Sequence, residues 1–347
     1  MDKFLNIFVI LLLTQTISCQ KMKEIPTWKP SMCNPLYSNT DERFSVQIGP
    51  NEITTLEGIE AALPGLRSSG YWGDSGGSFS DLQGTPIAAD VTYFSNHEDK
   101  FYRVKMDFGQ QFMEKAVAEI HYSSESDMYN ENQAELGGGL KGGFDKMIFG
   151  FAPEGMVVVW RGYGAYRIEL GRYQAEVVAD DKDLEKNMFP DDGMSRADVV
   201  AMYVMPEPVT SEKWDKYRKR FNIKFEIISE NKGFKLFEVD AENFNGEYFY
   251  EFRPKILKQE YENRALFRKI HLSWETGMGE VYASDIFFSE KILYDVFQNI
   301  KPEQTNDLKI KIAADNSSLV VFLNNEPINT EASRIWQHKF SYRDSYE

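Results

Sequence analysis

"IAADVTYFSNHEDKFYRVKMDFGQQFMEKAVAEI", residues 87–120, and "FRKIHLSWETGMGEVYASDIFFSEKILYDVFQNI", residues 267–300, read in the same order. Each gives a strand, a polar turn, a second strand and then a helix. In the first stretch Tyr102, Val104, Met106 and Phe108 alternate with Arg103, Lys105 and Asp107, the period of two that a half-buried strand needs. In the second, Ile270, Leu272 and Trp274 face one way, and Lys269, His271 and Ser273 form a solvated polar face. The helices are expected over 109–122, with Phe112, Ala116 and Ile120 on one side, and over 289–300. The latter carries Ile292, Leu293, Val296, Phe297 and Ile300 as an apolar stripe, with Ser289 at its cap.

A strand pair follows each helix, "KMIFGFAPEGMVVVW" (146–160) and "LKIKIAADNSSLVVFLN" (308–324). Element order and spacing thus predict an α+β fold of two tandem β-β-α-β-β units, at 86–178 and 265–340. The sheets are mostly antiparallel, each with one helix packed on the sheet. Residues 43–205 form an N-terminal lobe, 206–255 a connecting helix and strands, and 256–347 a C-terminal lobe. The connecting helix starts at Thr210 or Ser211, buries Trp214, Tyr217 and Phe221, and exposes Lys213, Lys216, Arg218, Lys219 and Arg220.

The N-terminus points to an address. Lys3 precedes the apolar run "FLNIFVILLL", too short to span a bilayer but suited to a signal-peptide core, and Ser18 precedes Cys19. Residues 1–18 read as a lipoprotein signal peptide, with Cys19 as the lipidated residue and 19–42 as a proline-containing spacer. Acyl chains on Cys19 would hold the protein to a membrane without a spanning helix. Gln20 after the cysteine favours the outer membrane of the cell envelope. Cys33 is then the single free thiol, which excludes an internal disulfide or a thiolate metal cluster. The formal charge of −15 repels phosphate backbones, so nucleic acid is not an expected partner.

The chemistry-bearing motifs are few. "GDSGG" at 73–77 matches the letters around a serine-protease nucleophile. All four histidines (His97, His121, His271, His338) follow Ser75, and the mature residues before it are too few for even one β-barrel of such an enzyme. Ser75 reads as a loop serine. The acidic loop "ADDKDLEKNMFPDDG" lacks the glycine and terminal glutamate of a calcium loop, so neither a metal nor a cofactor is expected.

The block "FGFAPEGMVVVWRGYGAYRIELGRYQAEVV" (149–178) has a strand ending in Ala-Pro, a Gly turn, a Val-rich strand ending in Trp160, and then "ELGRYQA". With "YWG" at 71–73, "FYR" at 101–103, "KWDKYRKRF" at 213–221 and "IFFSEKILYDVFQNI", it resembles the bacterial lipoproteins of domain-of-unknown-function family 2931, from about 70 to 325. Glu154 stands where a small turn residue is usual, with Gly155 left to supply the turn. The resemblance implies an envelope lipoprotein and no defined chemistry. The function expected is binding, not catalysis: an immunity protein sequestering a delivered toxin, or capture of another envelope protein. Glycan binding is the alternative and an enzyme comes third. Trp160, Arg161, Tyr163 and Tyr166, around the Gly turn of "WRGYGAYR", are the candidate binding residues, because Trp, Tyr and Arg dominate interface hot spots.

Overall fold

The structure, a computed structural model, describes residues 25–36, 43–64, 72–74, 81–119, 121–122, 141–142, 144–204, 210–252 and 255–338. Cys19 and Ser75 lie outside the described residues. The first half runs β1 (Thr27–Cys33), β2 (Val46–Thr55), β3 (Leu82–Gln83), β4 (Pro86–Ser95), β5 (Lys100–Asp107) and α1 (Gln110–Ala118). A small ladder of β6 (His121–Tyr122) and β7 (Lys141–Gly142) precedes β8 (Lys146–Phe151), β9 (Met156–Tyr163), β10 (Tyr166–Gln174) and β11 (Glu176–Val178). Three short helices follow, α2 (Lys182–Met188), α3 (Arg196–Met202) and α4 (Glu212–Tyr217).

The second half holds β12 (Arg220–Ser229), β13 (Phe234–Asn243), β14 (Tyr248–Phe252), β15 (Glu262–Ala265), β16 (Phe267–Thr276) and β17 (Val281–Phe287). After α5 (Glu290–Phe297) come β18 (Thr305–Ile312), β19 (Leu319–Leu323), β20 (Glu326–Ile328) and β21 (Ala332–His338).

Ten strands form one sheet, in the order β21-β17-β16-β13-β14-β10-β9-β8-β1-β3. A four-stranded sheet, β11-β5-β4-β2, packs on its first-half end, where Trp28, Phe149, Val157 and Val159 meet Ile53, Val91, Tyr93 and Val104 in one core. A five-stranded sheet, β15-β12-β18-β19-β20, packs on its other end, where Val239, Leu272 and Trp274 meet Ile223, Phe225, Ile310 and Ile312. Successive side chains on a strand point to opposite faces, and β9 buries both of its own. Val157 and Val159 belong to the first core, and Val158 and Trp160 to the second.

This corrects the expected α+β class. The chain is mostly β, 51% strand against 16% helix, and it is not two β-β-α-β-β units. The hairpin β4–β5 and the hairpin β8–β9 lie in opposing sheets, not side by side in one. The same holds for β16–β17 and β18–β19. Period-two alternation reports that one face of a strand is buried. It does not report which sheet the strand joins.

The pairings show a repeat of a different kind. The order β3-β1-β8-β9-β10 in the first half matches β15-β12-β18-β19-β20 in the second, and β11-β5-β4-β2 matches β21-β17-β16-β13. Even the hand of pairing matches, since β1 runs parallel to β8 and β12 parallel to β18. Phe108 N–H donates to Ile87 C=O, and Phe288 N–H donates to Arg268 C=O, at the same place in each copy. Each copy is therefore a two-sheet sandwich. The added strand β14 joins them, reaching β10 through the pairing of Arg167 with Tyr248. The stretch 206–255 supplies α4, strands β12 and β13 of the second sandwich, and the joining strand β14.

Two details of the helices differ from expectation. In α1 the buried residues are Met113 and Ala116, and Phe112 is 48% exposed. The connecting helix stops at Tyr217, and Phe221 points into the core from β12. Ser211 precedes that helix without capping it through its own oxygen. Its N–H and hydroxyl instead donate to Glu154 Oε2, at 2.9 and 3.0 Å. Glu154 itself takes φ 60°. Its carboxylate thus ties the β8–β9 turn to the start of α4.

Candidate functional site: a cleft where the two sandwiches meet

Trp72, Gly73 and Asp74 form a plug between the halves. Both Gly73 and the turn glycine Gly246 have positive φ, 77° and 88°, and their backbones touch. A Cβ on Gly73 would lie 2.3 Å from Gly246 Cα, so only glycine allows this approach. Gly73 N–H donates to Cys33 Sγ at 3.2 Å. Burial pushes the Cys33 thiol up to about 12, which leaves it a neutral, unreactive acceptor. The Trp72 indole meets Trp160 edge-on at 4.9 Å and Trp214 at 6.2 Å.

A partly buried charge network holds the plug. Arg167 pairs with Asp74 at 3.0 Å and donates to Gly246 C=O at 3.2 Å. Beside it Arg218 pairs with Glu169 at 2.7 Å, and Arg220 with Glu247 at 2.6 Å. Burial raises the Glu169 carboxyl above its ordinary value, and Arg218 opposes that shift. Arg167, Glu169 and Glu247 are the buried members, and removing the more exposed Asp74, Arg218 or Arg220 would leave a buried charge without that partner.

A cleft of about 210 Å³ opens beside the plug. Leu36 and Trp72 come from the first sandwich, and Lys213, Trp214 and Tyr217 from α4. Glu242, Asn243 and Phe244 come from the end of β13, and Arg268 from β16. The lining charges are paired, Arg268 with Glu242 at 2.7 Å and Lys213 with Glu290 at 3.7 Å. Tyr217 OH donates to Glu290 at 2.6 Å; burial first and that carboxylate second hold the phenol far above its usual range. Two polar atoms remain without partners, the Asn243 amide Oδ1 and the Trp72 indole Nε1. Asn243 is only 4% exposed.

The residues expected from "WRGYGAYR" are placed differently. Trp160 is fully buried, with Nε1 donating to Asn245 C=O at 3.1 Å. Arg161 is 3% exposed and pairs with Glu119, while its Nε and Nη1 have no partner. Tyr163 is buried as well. Tyr166 alone is half-buried, edge-on to Tyr250 at 6.3 Å, and it lines a separate hollow of about 110 Å³. The cause is the cover on both faces of β9, which its Val-rich sequence signals. Only Tyr166, past the turn, reaches the surface.

A line resembling a catalytic triad does occur. His271 Nδ1 is 2.8 Å from Asp285 and its Nε2 is 3.3 Å from Ser273 Oγ. Burial works to raise Asp285, but Lys269 at 2.8 Å and His271 together hold it below the usual carboxylate range. Ser273 sits mid-strand with ladders on both sides, and its hydroxyl donates to Glu238 at 3.4 Å. Its backbone is committed to those ladders, so no pair of N–H groups stands ready as an oxyanion hole. The row is cross-strand pairing on the outer sheet face. Among the described residues no group of three or more His, Cys, Asp or Glu could hold a metal ion.

The sequence model of one family, described as a protein of unknown function (DUF2931), matches residues 15–204. The chain belongs to this family. No curated protein and no solved structure matches it. The matched residues carry the whole first sandwich, including Trp72 of the cleft, and end before α4. Trp214, Tyr217 and the β13 turn, which complete the cleft, lie beyond the match. "ENFNGEY" (242–248) holds the signal that reading the chain missed: a glycine turn flanked by Asn and Phe, the partner of "WGD".

Proposed function

We propose that this chain is a lipid-tethered binding protein of the bacterial cell envelope, anchored at Cys19, which captures a ligand in the cleft beside Trp72 and does not turn it over. One observation carries the reading. Trp72 of the first sandwich, Trp214 and Tyr217 of α4 and Phe244 after β13 line one solvent-open cleft, with the charged groups of Lys213, Glu242 and Arg268 beside them. Pockets of mostly apolar lining with a few convergent polar groups are the usual form of a ligand site.

Sequestration of a delivered toxin is the second reading, favoured by the hollow where Tyr166 reaches the surface beside Arg220 and Tyr248. Aromatic and arginine side chains of that kind anchor protein partners. Native pull-down from envelopes separates the two. The wild-type chain should retain its ligand, and a Trp72→Phe, Phe244→Leu chain, which keeps apolar packing at both positions, should lose it. Retention by that variant, with loss on Tyr166→Ala, would instead support the toxin-binding surface. Cys19→Ala should abolish acyl labelling and release the protein from membranes; a variant that stays membrane-bound would contradict the anchor.

A further inference from the structure

We propose that β21, at the edge of the ten-stranded sheet, pairs antiparallel with β21 of a second molecule of this protein, about an axis at Ile335. The proposal does not depend on the cleft.

An open strand edge presents a row of N–H and C=O groups without partners, and folds usually blunt it by shortening, bulging or covering the strand. The internal repeat shows both conditions. The counterpart of β21 in the first sandwich is β11, three residues long, after which the chain turns into α2 and α3. β21 is seven residues long and pairs with β17 from His338 to Ala332 without a bulge. It contains no proline and no lysine, and among the described residues no strand pairs with its other side. Ala332, Ser333, Arg334 and Gln337 are exposed.

The residues of the strand say which partner fits. Ile335 packs on the second core, so Ser333 and Gln337 share its face. Arg334 and Trp336 lie on the outer face, the Trp336 ring 5.8 Å from that of His271. Ile335 is the middle residue of β21. A two-fold axis there sets Ile335 against itself, Ser333 against Gln337, and Arg334 against Trp336 at two equivalent places. The Arg334 guanidinium already stands 5.6 Å from the Trp336 ring within its own strand, and the pairing brings each guanidinium to a second indole. Moving the axis to Arg334 would oppose that charge to itself, a destabilising pair. β21 carries no carboxylate, so no pair of acids forms along the contact in a chain whose formal charge is −15. One strand pair is small for an interface, so the dimer is weak and needs a high local concentration. Tethering to one membrane at Cys19, as proposed above, would supply it.

The test uses the full chain carrying Cys19→Ala, in which Cys33 is buried. Sedimentation from micromolar to near-millimolar concentration should show the mass rising from one chain towards two. Opposed residues of an antiparallel pair have Cα atoms about 4.5–5.5 Å apart, within reach of a disulfide. Ile335→Cys should therefore cross-link to itself in oxidised glutathione. Ser333→Cys alone should not, because its two positions lie about 13 Å apart along the strands. Mixed with Gln337→Cys it should cross-link, and both of these positions are exposed, so folding is spared. Arg334→Gln, also exposed, should weaken the dimer about tenfold through two lost cation–π contacts. A single-chain mass at every concentration, or a dimer in which Ile335→Cys fails to cross-link, would overturn the proposal. Self-linking of Ser333→Cys, which needs another register, would do the same, as would an edge occupied by a strand of a different protein.

Discussion

Gly73 shows how a few residues decide whether the halves meet. Nothing in "GDSGG" distinguishes a nucleophile's neighbours from a tight loop, and the structure gives Gly73 a different task, contact with the Gly246 backbone. Gly73→Ala is expected to lower stability by about 2–4 kcal/mol, from a Cβ clash of the overpacking kind together with left-handed backbone strain. Thermal denaturation checks this, and Gly58→Ala is the control for φ strain alone, since a Cβ at Gly58 meets nothing within 4 Å. Equal losses in the two variants would remove the close-approach explanation. The burial of Trp160, Arg161 and Tyr163 was legible only in part. Side-chain type suggested an interface, and the interface they occupy is internal.

Strands were readable as elements and unreadable as partners. The hairpins around 96–99 and 277–280 stand out from alternation and turn residues, and α5 stands out from its apolar stripe. Sheet membership is a long-range fact that no local period encodes. The unbroken run "MVVV" in β9 was the exception, because a strand apolar on consecutive positions is a strand buried on both faces. Trp160→Ala should therefore cost about 3–5 kcal/mol, a large aromatic removed from a site without solvent access. Equilibrium urea unfolding measures it. A loss below about 1 kcal/mol would mean that Trp160 is not the wall between the cores. The helix stripe expected at Phe112 slipped by one position. A nine-residue helix offers too few turns to fix its buried side, and tertiary packing chose Met113.

The whole molecule is two copies of one sandwich fused through β14. The first core draws only on residues of the first half, whereas the second also takes Cys33, Ile148, Ala152, Met156, Val158 and Trp160 from it. Unfolding should accordingly be one cooperative calorimetric transition, because melting the second sandwich strips the outer cover from β8 and β9. Two resolved transitions would contradict that coupling. The repeat escapes sequence comparison of the halves because what is preserved is pairing order, which many apolar patterns satisfy.

The cleft at that fusion is the central claim, and the six tryptophans report on it. The indole N–H groups of Trp28, Trp160 and Trp274 are already donated to Gly84 C=O, Asn245 C=O and Asn316 Oδ1, while that of Trp72 is buried and unpaired. The direct measurement is a nitrogen–proton NMR titration of the indole resonances, assigned by single Trp→Phe variants, with the ligand that the wild-type chain retains from envelopes. The Trp72 resonance should shift and saturate, because its ring lines the cleft, with those of Trp28 and Trp274 unmoved. A saturable ligand that leaves Trp72 in place, or moves Trp336 on the outer sheet face instead, would contradict the assignment of the cleft.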